Sequence, residues 1–244
     1  MSDQMDLSIV IPVYNEAENI RILADEIRAA LDGKYSYEVI FVDDHSTDGS
    51  QTLLRNLHQE FPQFRCLRHK HNSGQSTAVY NGVKAANAEW IATLDGDGQN
   101  DPADIPAMMD RLKASAGDES LQMVAGYRKK RQDSWLKKIS SRIANGVRSR
   151  LLGDATPDTG CGLKLFSRAA FLELPYFDHM HRFLPALIQR HGGMTVSVEV
   201  NHRHRVMGVS KYGLHNRLWV GIIDIFGVRW LQRRSRLTAV EEQE

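Results

Sequence analysis

Only two of the 244 residues are cysteine, Cys66 and Cys161. Two isolated cysteines make no disulfide framework and carry no metal-type spacing, which excludes the small stapled scaffolds and zinc modules. No apolar run reaches the roughly 18 residues that a spanning helix needs. The opening stretch, MSDQMDLSIVIP, has no basic segment ahead of a short apolar one, so no secretory leader is expected and a cytoplasmic location is. Internal repeats and linker-like composition are lacking too. With 42% hydrophobic and 25% charged residues, the chain has the composition of a globular α/β protein with a substantial core.

Net charge is also scarce, at +1, but it hides an asymmetry. Residues 1–120 hold 10 Lys and Arg against 20 Asp and Glu, and residues 121–244 hold 21 against 10. An acidic half suits a metal and a basic half suits phosphates, although clustered solvated charge gives the same count.

Continuous apolar runs alternate with helical spacing. LSIVIPVYN (7–15), YEVIFVDD (37–44), Phe64 to His69, EWIATLD (89–95) and LQMVAGY (121–127) read as buried strands. Between them, 16–31 carries apolar residues at Ile20, Leu23, Ala24, Ile27, Ala30 and Leu31, a single helical stripe. SGQSTAVYNGVKAA reads as a glycine-entered helix. DPADIPAMMDRL restarts a helix with Asp101 as N-cap and Pro102 at its first position. This alternation predicts an α/β fold with a mostly parallel sheet and helices on both faces. Ligands of such sheets bind beyond the strands' carboxyl ends. Asn15, the Asp43–Asp44 pair and the Asp95–Asp97 pair each follow a strand and converge on one crevice in this reading. Beyond 127 the pattern changes to a basic helix-like stretch (128–153), a loop entering a short strand (156–167), a helix ended by glycines (179–193), a strand (194–205) and an apolar helix at 217–236.

LDGDGQNDP places two carboxylates one residue apart at a strand end, flanked by glycines. Asp95 and Asp97 can share one hard cation with phosphate oxygens, and Gln99 can add an oxygen. Phosphatases of the haloacid dehalogenase type and receiver domains use similar letters, but after the first strand of the domain. Here the acidic pairs follow the second and fourth strands, which argues against both. His69, His71, His202 and His204 lack partners at zinc spacing. The basic stretch contains no recognised nucleic-acid module, so no nucleic-acid partner is expected.

SIVIPVYNEAENI, VIFVDDHSTDGS, SGQSTAVYNGVKAA and LDGDGQNDP resemble, in order and spacing, the family 2 glycosyltransferases of GT-A fold. GYRKKR, DTGCGLKLFSR, HRFLPALIQRHG and HRHRVMGVSKYG narrow the resemblance to dolichyl-phosphate mannose synthase and bacterial polyprenyl-phosphate sugar transferases, over residues 7–215. The resemblance implies inverting sugar transfer from a nucleotide-sugar donor to a polyprenyl phosphate. It gives Pro12, Tyr14, Glu16, Asp44 and Gly96 to the nucleotide, and Asp95, Asp97 and Gln99 to a Mg2+ or Mn2+ ion. Asp95 and Asp97, with Arg128, Arg205 and Lys211, would carry catalysis. Arg131, Asp158 and Ser210 would meet the acceptor phosphate, with Asp158 equally readable as a turn residue. Mannose synthases usually read D-A-D-L-Q-H-P, so Gly96 and Gly98 weaken the case for mannose or a guanine base. Some relatives have an acidic residue where Cys161 stands. A polysaccharide or protein acceptor, and a silent nucleotide-binding module, are the competing readings.

Residues 1–215 are expected to form the catalytic domain, and 216–244 a C-terminal helix and tail. In that helix Trp219, Ile222, Ile223, Phe226, Trp230 and Leu231 recur at helical spacing, with Arg229, Arg233, Arg234 and Arg236 nearby. This predicts an interfacial helix on the inner face of the cell membrane, with packing against the protein core as the alternative. A homo-oligomer is left open.

Overall fold

The computed structural model describes residues 5–115, 117–128, 146, 148–203 and 214–234, with side chains from 220 onward in the last segment. Among the described residues, seven strands form one sheet in the order β3-β2-β1-β4-β6-β5-β7. They are β1 (Leu7–Val13), β2 (Tyr37–Asp43), β3 (Phe64–Arg68), β4 (Trp90–Thr93), β5 (Leu121–Tyr127), β6 (Lys164–Ser167) and β7 (Met194–Glu199). The pairs β1–β2, β1–β4, β2–β3 and β5–β7 are parallel. β6 alone runs against its neighbours β4 and β5, in register Thr93↔Lys164 and Ala125↔Lys164. The fold is therefore the α/β arrangement expected, with one inserted antiparallel strand.

The central strands β1 and β2 are buried on both faces because both faces are covered, whereas the edge strands β3 and β7 are only partly so. Ile9, Ile11 and Phe41 pack with Ile20, Leu23, Ile27, Leu54 and Met108 from α1 (Ala17–Leu31), α2 (Ser50–Glu60) and α4 (Ile105–Lys113). Val10, Ile40 and Val42 pack on the other face with Val79 and Val83 of α3 (Gln75–Ala85), Phe171 of α5 (Arg168–Leu172) and Leu187 of α6 (Leu184–Arg190). Val228 of the C-terminal helix α7 (Leu214–Arg233) joins this second cluster at 1% exposure.

Several local expectations are corrected. The helix expected from Pro102 begins as a 3-10 turn, Pro102–Asp104, capped by Asp101, whose carboxylate accepts from the Ala103 amide at 3.0 Å. α4 follows only at Ile105. The helix expected over 179–193 is a 3-10 turn at Met180–Arg182 followed by α6, with Pro185 tolerated in its first turn. α5 was not foreseen; Ser167 caps it through the Ala170 amide.

Candidate active site

The carboxyl ends of β1, β2 and β4 meet along one edge of the sheet. Because β6 is antiparallel, its entry lies on that same edge, bringing the loop 158–163 against the end of β4. The Thr93 hydroxyl donates to the Gly162 carbonyl at 2.7 Å across this junction.

The turn after β1 is built on Asn15, which adopts φ 53°. Its side-chain oxygen accepts from the Thr47 amide at 2.7 Å, and its own amide donates to Ser46 Oγ at 2.9 Å. Pro12, Tyr14 and Glu16 thus flank a turn fastened to the loop after β2. Glu16 accepts from the Asn19 carboxamide at 2.7 Å.

The two aspartates after β2 divide their work. Asp43 is fully buried, accepts from the Ser46 amide at 2.9 Å and faces Arg68 at 3.3 Å. Asp44 holds the start of α3: it accepts from the amides of Ser73 (2.7 Å) and Gly74 (2.8 Å) and contacts His69 Nδ1 at 2.7 Å. The Asn81 carboxamide donates to His69 Nε2 at 3.0 Å, which places the imidazole proton on Nδ1, toward Asp44. His69 therefore belongs to this loop network.

Asp95 follows β4 in a partly buried position. Its amide donates to Asn100 Oδ1 at 3.0 Å, and its Oδ1 accepts from Gln75 Nε2 at 2.8 Å. Its other oxygen lies in a notch that exists only because residue 162 is glycine. A Cβ there would overlap Asp95 Oδ2 and stand 2.7 Å from Asn100 Oδ1. Burial and the neighbouring Asp97 push the Asp95 carboxyl up to about 6, against the pull of Lys164, Arg128 and Gln75. Asp97 accepts from the Gln99 amide at 3.1 Å. The loop is tied from behind: the Arg203 amide donates to the Gln99 carbonyl at 3.1 Å, and Asn201 binds Asp104 at 2.7 and 3.0 Å.

Lys164, Cys161 and Arg128 complete this edge. Lys164 is 4% exposed and donates to the Cys161 carbonyl. Burial lowers its pKa, against the pull of Cys161 and Asp95. Burial likewise pushes the Cys161 thiol up. Arg128, just past β5, forks onto Asp158 through Nε (2.6 Å) and Nη2 (3.0 Å). Burial works against the guanidinium charge, but the Asp158 pairing prevails and raises its pKa.

Of the residues expected from the sequence, the fold brings Pro12, Tyr14, Glu16, Asp44, Asp95, Gly96, Asp97, Gln99, Arg128 and Asp158 to one edge. Gln75, Gly162 and Lys164, which the sequence did not single out, also lie against Asp95. The antiparallel entry of β6 carries the last two here, and a strand-end rule cannot find them. Arg131, Arg205, Ser210 and Lys211, with His204, lie outside the described residues. Among the described residues no group of three or more His, Cys, Asp or Glu side chains could hold a metal by itself. Asp95 and Asp97 still fit a hard cation. They are oxygen donors one residue apart, and burial together with the neighbouring Asp97 raises the Asp95 pKa, a cost that a cation bound there would offset.

Residues 8–174 match the family model described as glycosyl transferase family 2. The chain is 35% identical over 238 residues to the dodecaprenyl-phosphate galacturonate synthase of Rhizobium johnstonii, covering 94% of this chain and 68% of the relative. It is 34% identical over 212 residues to the undecaprenyl-phosphate 4-deoxy-4-formamido-L-arabinose transferase of Edwardsiella ictaluri, covering 85% and 63%. The chain therefore spans about two thirds of the length of these relatives. Among solved structures, a mannosyltransferase from Pyrobaculum calidifontis, in complex with GDP-Man and Mn2+, superposes with TM-score 0.67 at 20% identity, over 98% of this chain and 67% of that one. A glucosyl-3-phosphoglycerate synthase from Mycobacterium tuberculosis, in complex with Mn2+, UDP and phosphoglyceric acid, gives TM-score 0.67 at 17% identity, over 96% and 80%. These structural likenesses carry the GT-A fold, while the family model and the relatives above 30% identity carry the lineage: the chain belongs to glycosyl transferase family 2.

Proposed function

We propose that this glycosyltransferase moves a sugar from a nucleotide-sugar donor to a polyprenyl phosphate, with inversion at the anomeric carbon. The observation that carries the reading is the Asp95–Asp97 pair at the sheet edge, with Asp95 held between Gln75 and Gly162 and within the electrostatic reach of Arg128. The names of the relatives, both polyprenyl-phosphate sugar transferases, support the acceptor class.

In this reading Asp95 and Asp97, with Gln99, would hold Mg2+ or Mn2+. When bound, that ion neutralises the charge that develops on the departing diphosphate. Pro12, Tyr14, Glu16 and Asp44 line the nucleoside end, and Gly96 lets the backbone lie close. An oxygen of the lipid phosphate attacks the anomeric carbon from the face opposite the diphosphate. The new C–O bond forms as the bond to the diphosphate breaks, and the electron pair leaves with the nucleoside diphosphate. A phosphate is already anionic near neutral pH and needs no strong general base. The site's demand is for cations that hold two mutually repelling phosphates close. Arg128, Arg205 and Lys211 meet it, Arg by its planar fork and Lys as a point charge. Arg131, Asp158 and Ser210 are assigned to the acceptor side.

Residues 1–215 form the catalytic unit in this proposal, and 216–244 the part that meets lipid. Among the described residues no helix is long and apolar enough to cross a membrane. A peripheral position on the inner face of the cell membrane follows from the acceptor and from the outward face of α7.

The test is radiolabelled sugar transfer from a panel of nucleotide sugars into membranes containing undecaprenyl phosphate. The expected product is extractable into organic solvent and labile to mild acid. Label appearing only in polysaccharide or protein would replace the acceptor. No transfer from any donor, with nucleotide binding retained, would favour a silent binding module.

A further inference from the structure

We propose that Gln75 is a positioning residue for the metal ligand Asp95, an inference that rests on the cation reading above. Gln75 opens α3, and its carboxamide nitrogen donates to Asp95 Oδ1 at 2.8 Å. The backbone on both sides of it is fixed. On one side, the amides of Ser73 and Gly74 donate to the Asp44 carboxylate at 2.7 and 2.8 Å. On the other, Ser76 is 1% exposed and its hydroxyl bonds His181 Nδ1 at 2.7 Å. Gln75 and His181 line one small cavity with Thr93, Asp95 and Lys164. The first turn of α3 is thereby clamped between the nucleotide-side aspartate and the 3-10 turn at Met180–Arg182, and Gln75 projects from that clamp onto Asp95.

The chemistry of the donor matters. A carboxylate that serves a cation must keep one orientation without losing its charge. A neutral carboxamide N–H fixes one oxygen and leaves the charge for the cation. A lysine or arginine at the same place would compete with it. The rest of the Asp95 environment is equally restrictive: Asn100 accepts from its amide, and the Gly162 notch receives its other oxygen. Partners of this kind, which orient a ligand without touching the metal, are worth roughly 10–100-fold in metal affinity or activity. The arrangement also joins the two halves of the donor site. Asp44 and Asp95 are connected through the three-residue segment Ser73–Gly74–Gln75, so the loop that the nucleoside side grips is the loop that orients the metal ligand.

The experiment is a titration of the full chain with Mn2+ alone, followed by the free-ion electron paramagnetic resonance signal. Gln75→Met keeps the side-chain volume and deletes the donor. It should bind Mn2+ about tenfold more weakly than wild type. In turnover assays its half-activating Mn2+ concentration should rise by the same factor, with a smaller change at saturating Mn2+. A merely structural role would lower the melting temperature and leave Mn2+ affinity alone. Gln75→Ala is the second variant, should the Met variant fold poorly. Mn2+ affinity within twofold of wild type in the folded variants overturns the proposal. Asp97→Asn separates the two levels. If it loses Mn2+ while Gln75→Met does not, only the role of Gln75 falls. If it binds Mn2+ as wild type does, the cation reading falls and the Gln75 proposal with it.

Discussion

Gly96, the middle residue of the D-x-D, lies against the backbone of Pro12 on the neighbouring strand: a Cβ at 96 would stand 2.8 Å from the Pro12 carbonyl oxygen and 3.2 Å from Val13 Cγ2. The alanine usual at this place in mannose synthases therefore does not fit this backbone. Gly96→Ala should cost about 1–3 kcal/mol, because the atom it meets is main chain and cannot swing away. Thermal unfolding checks this, and turnover should fall too, since the strain sits between both aspartates. An unchanged melting temperature would show that the β1 end yields freely.

Asp95→Asn and Asp97→Asn should each abolish metal-dependent turnover and leave the circular dichroism spectrum unchanged. Asparagine keeps one oxygen for Gln75 but removes the charge and turns the second oxygen into an NH2 donor that no cation can use. The pH dependence follows from the Asp95 carboxyl, pushed up to about 6 in the folded chain. Protons compete with the cation below that value, so Mn2+ affinity should fall about tenfold per pH unit there and level off above it. For stability, the folded pKa lies above the unfolded value of about 3.9, so the native state binds the extra proton between them. This group's contribution is best below about pH 4 and declines as pH rises to about 6. Melting temperatures at pH 4.5 and 7 should show Asp95→Asn gaining on wild type at the higher pH. A constant difference would remove the assigned shift.

Arg128 and Asp158 form an enclosed pair, with side-chain exposures of 12% and 7%. Asp158→Ala deletes the carboxylate that both Nε and Nη2 of Arg128 contact and leaves the guanidinium enclosed. A loss of about 3–5 kcal/mol is expected. Asp158→Asn keeps one acceptor and should lose less. Urea denaturation orders the two, and an equal, small loss in both would show that Asp158 is an ordinary turn residue.

What the sequence made legible were features whose signal is local. Apolar runs made β1, β2, β4 and β5 legible, because strands buried on both faces need no partner to be recognised. The Asp44 and Asp95–Asp97 positions followed from the rule that ligands gather at strand ends. Gln75 and Gly162 were illegible for a physical reason. Their contact with Asp95 is made across the fold, and neither residue type is marked by chemistry. Lys164 is concealed by the reversed direction of β6. Leu231 was assigned to the outward stripe of α7, yet it packs on the core together with Ile225. The two sides of that helix are both apolar, so periodicity alone could not say which side the protein would take.

α7 is anchored inward by Val228, Ile225 and Leu231, by Arg190 Nε donating to the Leu231 carbonyl at 3.1 Å, and by Gln232 donating to the Leu152 carbonyl at 2.8 Å. Asp224 faces His179 at 3.4 Å. Its other side leaves Ile223 68%, Phe226 64% and Trp230 59% exposed, with Ile222 beside them. Arg234 lies over the Trp230 ring at 5.9 Å. An apolar face bordered by an aromatic ring and arginines suits the headgroup level of an anionic leaflet. Cutting the chain before α7 would strip Val228 from the core, so truncation is the wrong test. Ile223→Glu combined with Phe226→Glu changes only exposed side chains and should keep the melting temperature within a few degrees. Wild-type protein should sediment with vesicles of phosphatidylglycerol and phosphatidylethanolamine, and the double variant should stay in the supernatant. Transfer to a short-chain, water-soluble polyprenyl phosphate should be unaffected in the variant, while transfer to the vesicle-borne lipid should fall at least tenfold. Equal sedimentation of both proteins, or of neither, would show that this face is not what meets the membrane.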